Sequence, residues 1–299
     1  MTETPIRRIL FPTDLSDCAE GAFSHAAFLA ERFGASLHVL HVREHPGFPP
    51  PDWTDALRIT PEDIANDLGL PLAPEADAVD LVEMEHLETE ASDVAAAILH
   101  QAAALDADLI VMGTHGRSGI ERAVLGSVAE SVVRHARCPV FTVRPTGDRA
   151  SGGGWALRRV LVAVETASPP PPQVAWAASL ARAYGARVDL LHTVPISLLT
   201  PGSTAAARTA RHELRALEDT LLASGVRDVV SRVVEGDPAD AIVDTARVLG
   251  VDLVVVGSHG REGVRRALLG SVSERVIRSA PSPVFVARTA RVASTPLAV

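Results

Sequence analysis

The stretch "GTHGRSGIERAVLGS" at residues 113–127 returns at 257–271 as "GSHGREGVRRALLGS". Gly113, Gly116 and Gly126 in the first copy are matched by Gly257, Gly260 and Gly270 in the second, so both read G-x2-G-x9-G-S. Extended to 21 residues, through "VAESVV" and "VSERVI", the copies share 13 identities. A period of about half the chain implies two similar domains, not a solenoid of short repeats. The length of 299 residues fits, because domains of roughly 100–200 residues can each bury a core. The expected units are 1–146 and 155–290, joined by the polar, glycine-rich "TGDRASGGG" at 146–154.

Each half alternates short β-branched runs with helical spacing. In the first half the pattern predicts strands at 8–13, 36–42, 80–88, 108–113 and 139–144. Helices are predicted over 17–33, with Ser16 or Asp17 as cap and Gly34 as stop, over 92–105, and from Gly126–Ser127 to about His135. The second half repeats the order, with strands at 158–164, 187–193, 228–234, 252–257 and 283–288. Its helices fall near 173–184, 204–224 and 238–249, and from Gly270 onward. Apolar strand runs alternating with helices belong to an α/β fold with parallel strands covered on both faces. The Pro-rich, acidic stretch 43–79 predicts a loop with a short helix near Glu62–Leu68, and the tail after Arg288 is expected to be poorly ordered.

Composition excludes several classes. A net charge of −9 argues against a partner such as nucleic acid, which needs a basic stripe. All 28 basic residues are Arg, so neither a P-loop lysine nor a Schiff-base lysine exists. Cys18 and Cys138 form no C-x-x-C pair and read as small apolar residues of a reducing compartment. "MTETPIRRIL" lacks an apolar signal core and no apolar run reaches 18 residues, so a cytoplasmic protein without a membrane span is expected.

The glycine stretches each begin at the carboxyl end of an apolar strand and finish at a helix start, where open α/β sheets bind ligands. Glycine lets an anion approach the backbone, and successive N–H groups can form a nest. The following helix adds unpaired donors and the positive end of its dipole. The Ser127 hydroxyl can cap that helix or meet a phosphate oxygen. These features describe a phosphate-binding loop without lysine; the alternative is that the glycines are turn residues only. Other signatures are missing: the first βα turn reads "FPTDLSD", without G-x-G-x-x-G, and no G-x-S-x-G elbow occurs. No H-I-G-H-like or S-G-G-x-D-type loop supports adenylyl transfer. His115 and His259 have no ligand-spaced neighbours, so no metal site is assigned. His41 and His192, at the ends of the second strands, read as packed or satisfied residues and not as catalytic ones.

The segments "ILFPTDLS", "HVLHV" and "VMGTHGRSGIERAVLGSVAESVVRHARCPVFTV" resemble the universal stress protein family, once per half across nearly the whole chain. The resemblance implies two Rossmann-like domains, each a five-stranded parallel sheet with helices on both faces, paired through their last strands as a pseudo-dimer. It leaves further homodimer formation open. For the ATP-binding branch of the family, it implies that ATP, with or without Mg²⁺, is held in the first half by Pro12, Thr13, Asp14, Val42, Met112, Gly113, Gly116, Arg117, Gly126, Ser127 and Val128. The second-half counterparts are Val164, Glu165, Val256, Gly257, Gly260, Arg261, Gly270, Ser271 and Val272. There "AVE" (163–165) replaces "PTD" (12–14), so a weaker second site is expected. No base or Mg²⁺-binding carboxylate for efficient phosphoryl transfer stands out, so no catalytic residue is assigned and at most slow ATP hydrolysis is expected. The resulting expectation is an ATP-binding stress-response regulator, the alternative being a nucleotide-free interaction module.

Overall fold

The structure, a computed structural model, describes residues 6–44, 68, 84–114, 125–143, 157–165, 170–194, 202–258 and 269–288. The first half runs β1 (Arg8–Pro12), α1 (Asp17–Phe33), β2 (Ser36–Arg43), β3 (Met84–Glu90), α2 (Val94–Ala104), β4 (Leu109–Gly113), α3 (Ser127–His135) and β5 (Val140–Val143). The second runs β6 (Arg159–Ala163), α4 (Pro172–Tyr184), β7 (Arg187–Val194), α5 (Gly202–Ala223), β8 (Val229–Glu235), α6 (Pro238–Leu249), β9 (Leu253–Gly257), α7 (Ser271–Ser279) and β10 (Val284–Ala287). Glycine stops three helices where the periodicity ends. Gly34, Gly185 and Gly250 close α1, α4 and α6 at φ of 61°, 67° and 57°, a left-handed turn that a Cβ would oppose.

The strands form one sheet in the order β3-β2-β1-β4-β5-β10-β9-β6-β7-β8. Pairing is parallel within each half and antiparallel only where β5 meets β10. The two expected five-stranded sheets are therefore joined edge to edge, which removes two apolar edges that would otherwise invite association. Side chains alternate across the sheet. Ile9, Phe11, Leu37, Val39, Leu109 and Val111 pack with α1, α4 and α5, whereas Leu10, Leu40, Ile110 and Met112 face α2, α3, α6 and α7. Each layer continues from one half into the other.

The third strand differs from its expected span of 80–88. Among the described residues it starts at Met84 and continues to Glu90, because β2 runs to Arg43 and pairs along its length. Charges are tolerated on this edge strand, where Arg43 binds Glu88 and Glu90 at 2.6 Å each. Most of the proposed Glu62–Leu68 helix lies outside the described residues; Leu68 is fully buried in the α1 layer. The 146–154 linker and the tail after Arg288 also lie outside them.

The seam between the halves is sealed on both faces. On the α1 side, His25 Nδ1 and the Tyr184 hydroxyl are 2.9 Å apart, and His25 leans on Phe141 at 5.1 Å between ring centres. On the other side, Arg134 and Arg278 alternate with Glu130 and Glu274 in a four-membered ion cluster linking α3 to α7. Within the sheet, the Thr142 hydroxyl donates to Val284 O, and buried Arg288 donates to Val133 O at 2.7 Å, where α3 ends.

Burial makes this seam acid-sensitive. His25 is wholly buried, and desolvation lowers its pKa from 6.5 to about 3. The folded state thus holds the neutral ring while the unfolded chain binds a proton below pH 6.5. Stability from this group is complete above pH 6.5 and is lost as pH falls toward about 3. The expected loss is about 1.4 kcal/mol per pH unit in that window. Urea unfolding of the parent and His25→Gln between pH 7.5 and 4.5 checks it: the variant should show a shallower pH dependence, and equal slopes would contradict the assignment.

Candidate functional site

In the first half β1 lies between β2 and β4: Pro12 pairs with Leu40 on one side, and Leu10 pairs with Ile110 on the other. The chain leaves β1 into α1 on one face, and leaves β4 toward α3 on the opposite face. A crevice opens at such a switch point, beyond the carboxyl ends of the strands. Pro12, Thr13, Val42, Met112, Gly113 and the start of α3 all belong to this edge. Val42, Met112 and Val128 share one apolar cluster there, as do Val256 and Val272 in the second half.

The turn after β1 is held by its own side chains. Thr13 N donates to Leu40 O, and Thr13 Oγ1 accepts from Leu15 N at 3.0 Å. Asp14 Oδ1 accepts from Ser16 N and, at 2.7 Å, from the Ser16 hydroxyl. These bonds hold Leu15 at φ 61°, a costly conformation for a residue with a Cβ. Ser16 occupies the N-cap position of α1 but makes no side-chain cap bond, since its hydroxyl serves Asp14.

The histidines of the second strands also hold this turn, as hydrogen-bonded residues and in line with their reading as packed or satisfied side chains. His41 Nδ1 donates to Thr13 O at 3.0 Å and His192 Nδ1 donates to Val164 O at 2.9 Å, each across 28 residues. A carbonyl only accepts, so Nδ1 carries the hydrogen in both rings.

Both glycine stretches are anchored alike. Thr114 N donates to Val143 O, and Gly126 N donates to Thr114 O at 2.8 Å. Ser258 N donates to Ala287 O, and Gly270 N to Ser258 O at 2.8 Å. Each stretch therefore leaves and rejoins the sheet edge through one closing bond. Residues 115–124 and 259–268, which include His115, Gly116, Arg117, His259, Gly260 and Arg261, lie outside the described residues.

Just past these closing bonds, α3 and α7 start. Gly126 and Gly270 are the N-caps of α3 and α7, at φ −61° and −67°, and neither helix has a side-chain cap bond. Two other helices are capped by aspartate: Asp93 accepts from Ala96 N, and Asp237 accepts from Ala239 N and Asp240 N. The glycine φ values are ordinary, so backbone conformation does not demand glycine here. With no side chain, it gives the first N–H groups of each helix no cap of its own. Ser127 and Ser271 are the first helical residues, exposed beside those donors, and not the caps.

Residues 5–144 and 156–288 match the sequence model of the universal stress protein family. The chain belongs to this family. A universal stress protein of Mycobacterium tuberculosis is 37% identical over 191 residues, covering 61% of this chain and 62% of that protein. The match thus spans about three fifths of that relative's length. One from Methanocaldococcus jannaschii is 35% identical over 156 residues, covering 48% of this chain and 84% of that protein. The solved universal stress protein of Archaeoglobus fulgidus shares the fold at a TM-score of 0.60 and 21% identity, covering 97% of this chain and 98% of that one. The tandem arrangement explains why the glycine stretch, its closing bond and the histidine at the end of the second strand each occur twice. Among the described residues, no helix is long and apolar enough to cross a membrane.

Proposed function

We propose that this universal stress protein is an ATP-binding regulator of the stress response, with its principal nucleotide site in the first half. The uncapped start of α3, beside the closing bond from Gly126 N to Thr114 O, carries the reading. Amides of Ser127 and Val128, with Gly116 and Arg117, receive the phosphates. Pro12, Thr13, Asp14, Val42, Met112 and Gly113 receive the adenosine. Asp14 is oriented by Ser16, and the carbonyl of Thr13 by His41. Val164, Glu165, Val256, Gly257, Gly260, Arg261, Gly270, Ser271 and Val272 form the second site. Slow exchange of a retained nucleotide, with or without Mg²⁺, suits a regulator better than turnover. Mass spectrometry of small molecules released by denaturing the freshly purified protein tests this: ATP or its hydrolysis product is expected, and a protein that neither carries nor takes up nucleotide would refute it.

A further inference from the structure

The two halves are unequal at the crevice, and the inequality lies in residues outside the glycine signature. Gln173, two residues into α4's first turn and only 6% exposed, donates from Nε2 to Ala163 O at 3.3 Å. Its amide also lies against Gly257: a Cβ on that glycine would sit 3.0 Å from Gln173 Oε1 and 3.2 Å from Nε2. One side chain therefore ties together the carboxyl ends of β6 and β9, the adjacent strands that flank the switch point. From the opposite layer, the buried Ser273 hydroxyl donates to Gly257 O.

At the matching positions among the described residues, the first half carries alanines in place of both side chains. Counting back twelve residues from the left-handed glycines Gly185 and Gly34 sets Gln173 opposite Ala22. Counting on three from the caps Gly270 and Gly126 sets Ser273 opposite Ala129. Ala22 and Ala129 are both buried, and neither side chain can donate a hydrogen bond. In the second half, the space that glycine leaves on its α4 side is taken by the protein's own amide, and the carbonyls of Ala163 and Gly257 are already engaged.

We infer that Gln173, supported by Ser273, closes the second crevice and makes the second half the weaker nucleotide site. The sequence expectation traced such asymmetry to Glu165 replacing Asp14 and Ala163 replacing Pro12; Gln173 is a further contributor outside that turn. A ligand seated between β6 and β9 must displace a buried, hydrogen-bonded amide, and breaking such bonds without full replacement costs affinity.

The inference rests on the nucleotide reading above, and one titration series separates the two. ATP is titrated calorimetrically into the parent, into Gly126→Asp to isolate the second half, and into Gly126→Asp carrying Gln173→Ala or Gln173→Ala with Ser273→Ala. Removing the amide should tighten the isolated second site about tenfold or more. Gln173→Asn, which keeps an amide one methylene short of Ala163 O, should shift affinity the same way by less, and guards against a poorly folded alanine variant. If the parent binds ATP but folded Gln173 variants leave the second site unchanged or weaker, this inference falls and the nucleotide reading stands. If the parent takes up no ATP, both fall.

Discussion

Asp189→Ala is expected to destabilise the protein by about 2–4 kcal/mol while leaving ATP affinity of the folded protein unchanged. Asp189 is fully buried in β7, on the face that packs α6, and three guanidiniums converge on it. Arg159 binds both oxygens, at 2.7 and 3.3 Å, and also donates to Leu249 O. Arg187 and Arg232 approach to 3.3 and 3.2 Å. Burial pushes the Asp189 carboxyl up, but the hydrogen bond and charge of Arg159, with Arg232 and Arg187, outweigh it and hold the pKa below its usual value. Removing the carboxylate leaves three like charges facing one another. A fully buried broken pair costs about 3–5 kcal/mol, and these arginines are 25%, 34% and 38% exposed, so water recovers part of that. The cluster sits away from the carboxyl edge, which is why binding should survive. Because the folded pKa is depressed, its contribution holds above the unfolded value and is lost only as pH falls below that. Urea unfolding at pH 7 measures the effect; a midpoint equal to the parent's would show the network to be energetically idle.

Gly126→Asp is expected to weaken ATP binding in the first half by about tenfold to a hundredfold without lowering the melting temperature. Gly126 holds φ −61° and ψ 147°, close to the φ −66° and ψ 129° of the Asp237 cap. An aspartate there can adopt the same conformation and accept from the first N–H groups of α3, as a good N-cap does. The variant fills with its own carboxylate the donors that the phosphates would use. Glycine and aspartate caps differ by only a few tenths of a kcal/mol or slightly more, so the fold should be kept. Lost binding with retained melting cannot come from unfolding. Thermal scans and calorimetry on one preparation provide both readouts, and a folded variant with parental affinity would contradict the assignment.

Much of the fold was legible because it rests on local periodicity. The run "RILFP" and the helix stopped at Gly34 need no distant information, and the apolar "VFTV" and "VFVA" signalled edges that must be covered. The first-strand turn was only half legible: Asp14 entered through the family resemblance alone, and its bond to the Ser16 hydroxyl depends on Leu15 turning left-handed. Gln173 was not legible at all. A glutamine in a helix's first turn usually reads as a solvated residue, and its role comes from Gly257, 84 residues onward, which only the β6–β9 pairing brings near. The same holds for Asp189, whose three partners come from three strands.

If the open amides at the start of α3 receive the nucleotide's phosphates, those atoms must respond when ATP binds. Backbone amide NMR during an ATP titration reads them one by one. Large, saturable shifts are expected for Ser127, Val128 and Ala129, with little change for Ala96, whose amide already donates to Asp93. Saturable ATP binding that leaves the amides of residues 127–129 unmoved would contradict the phosphate site at α3.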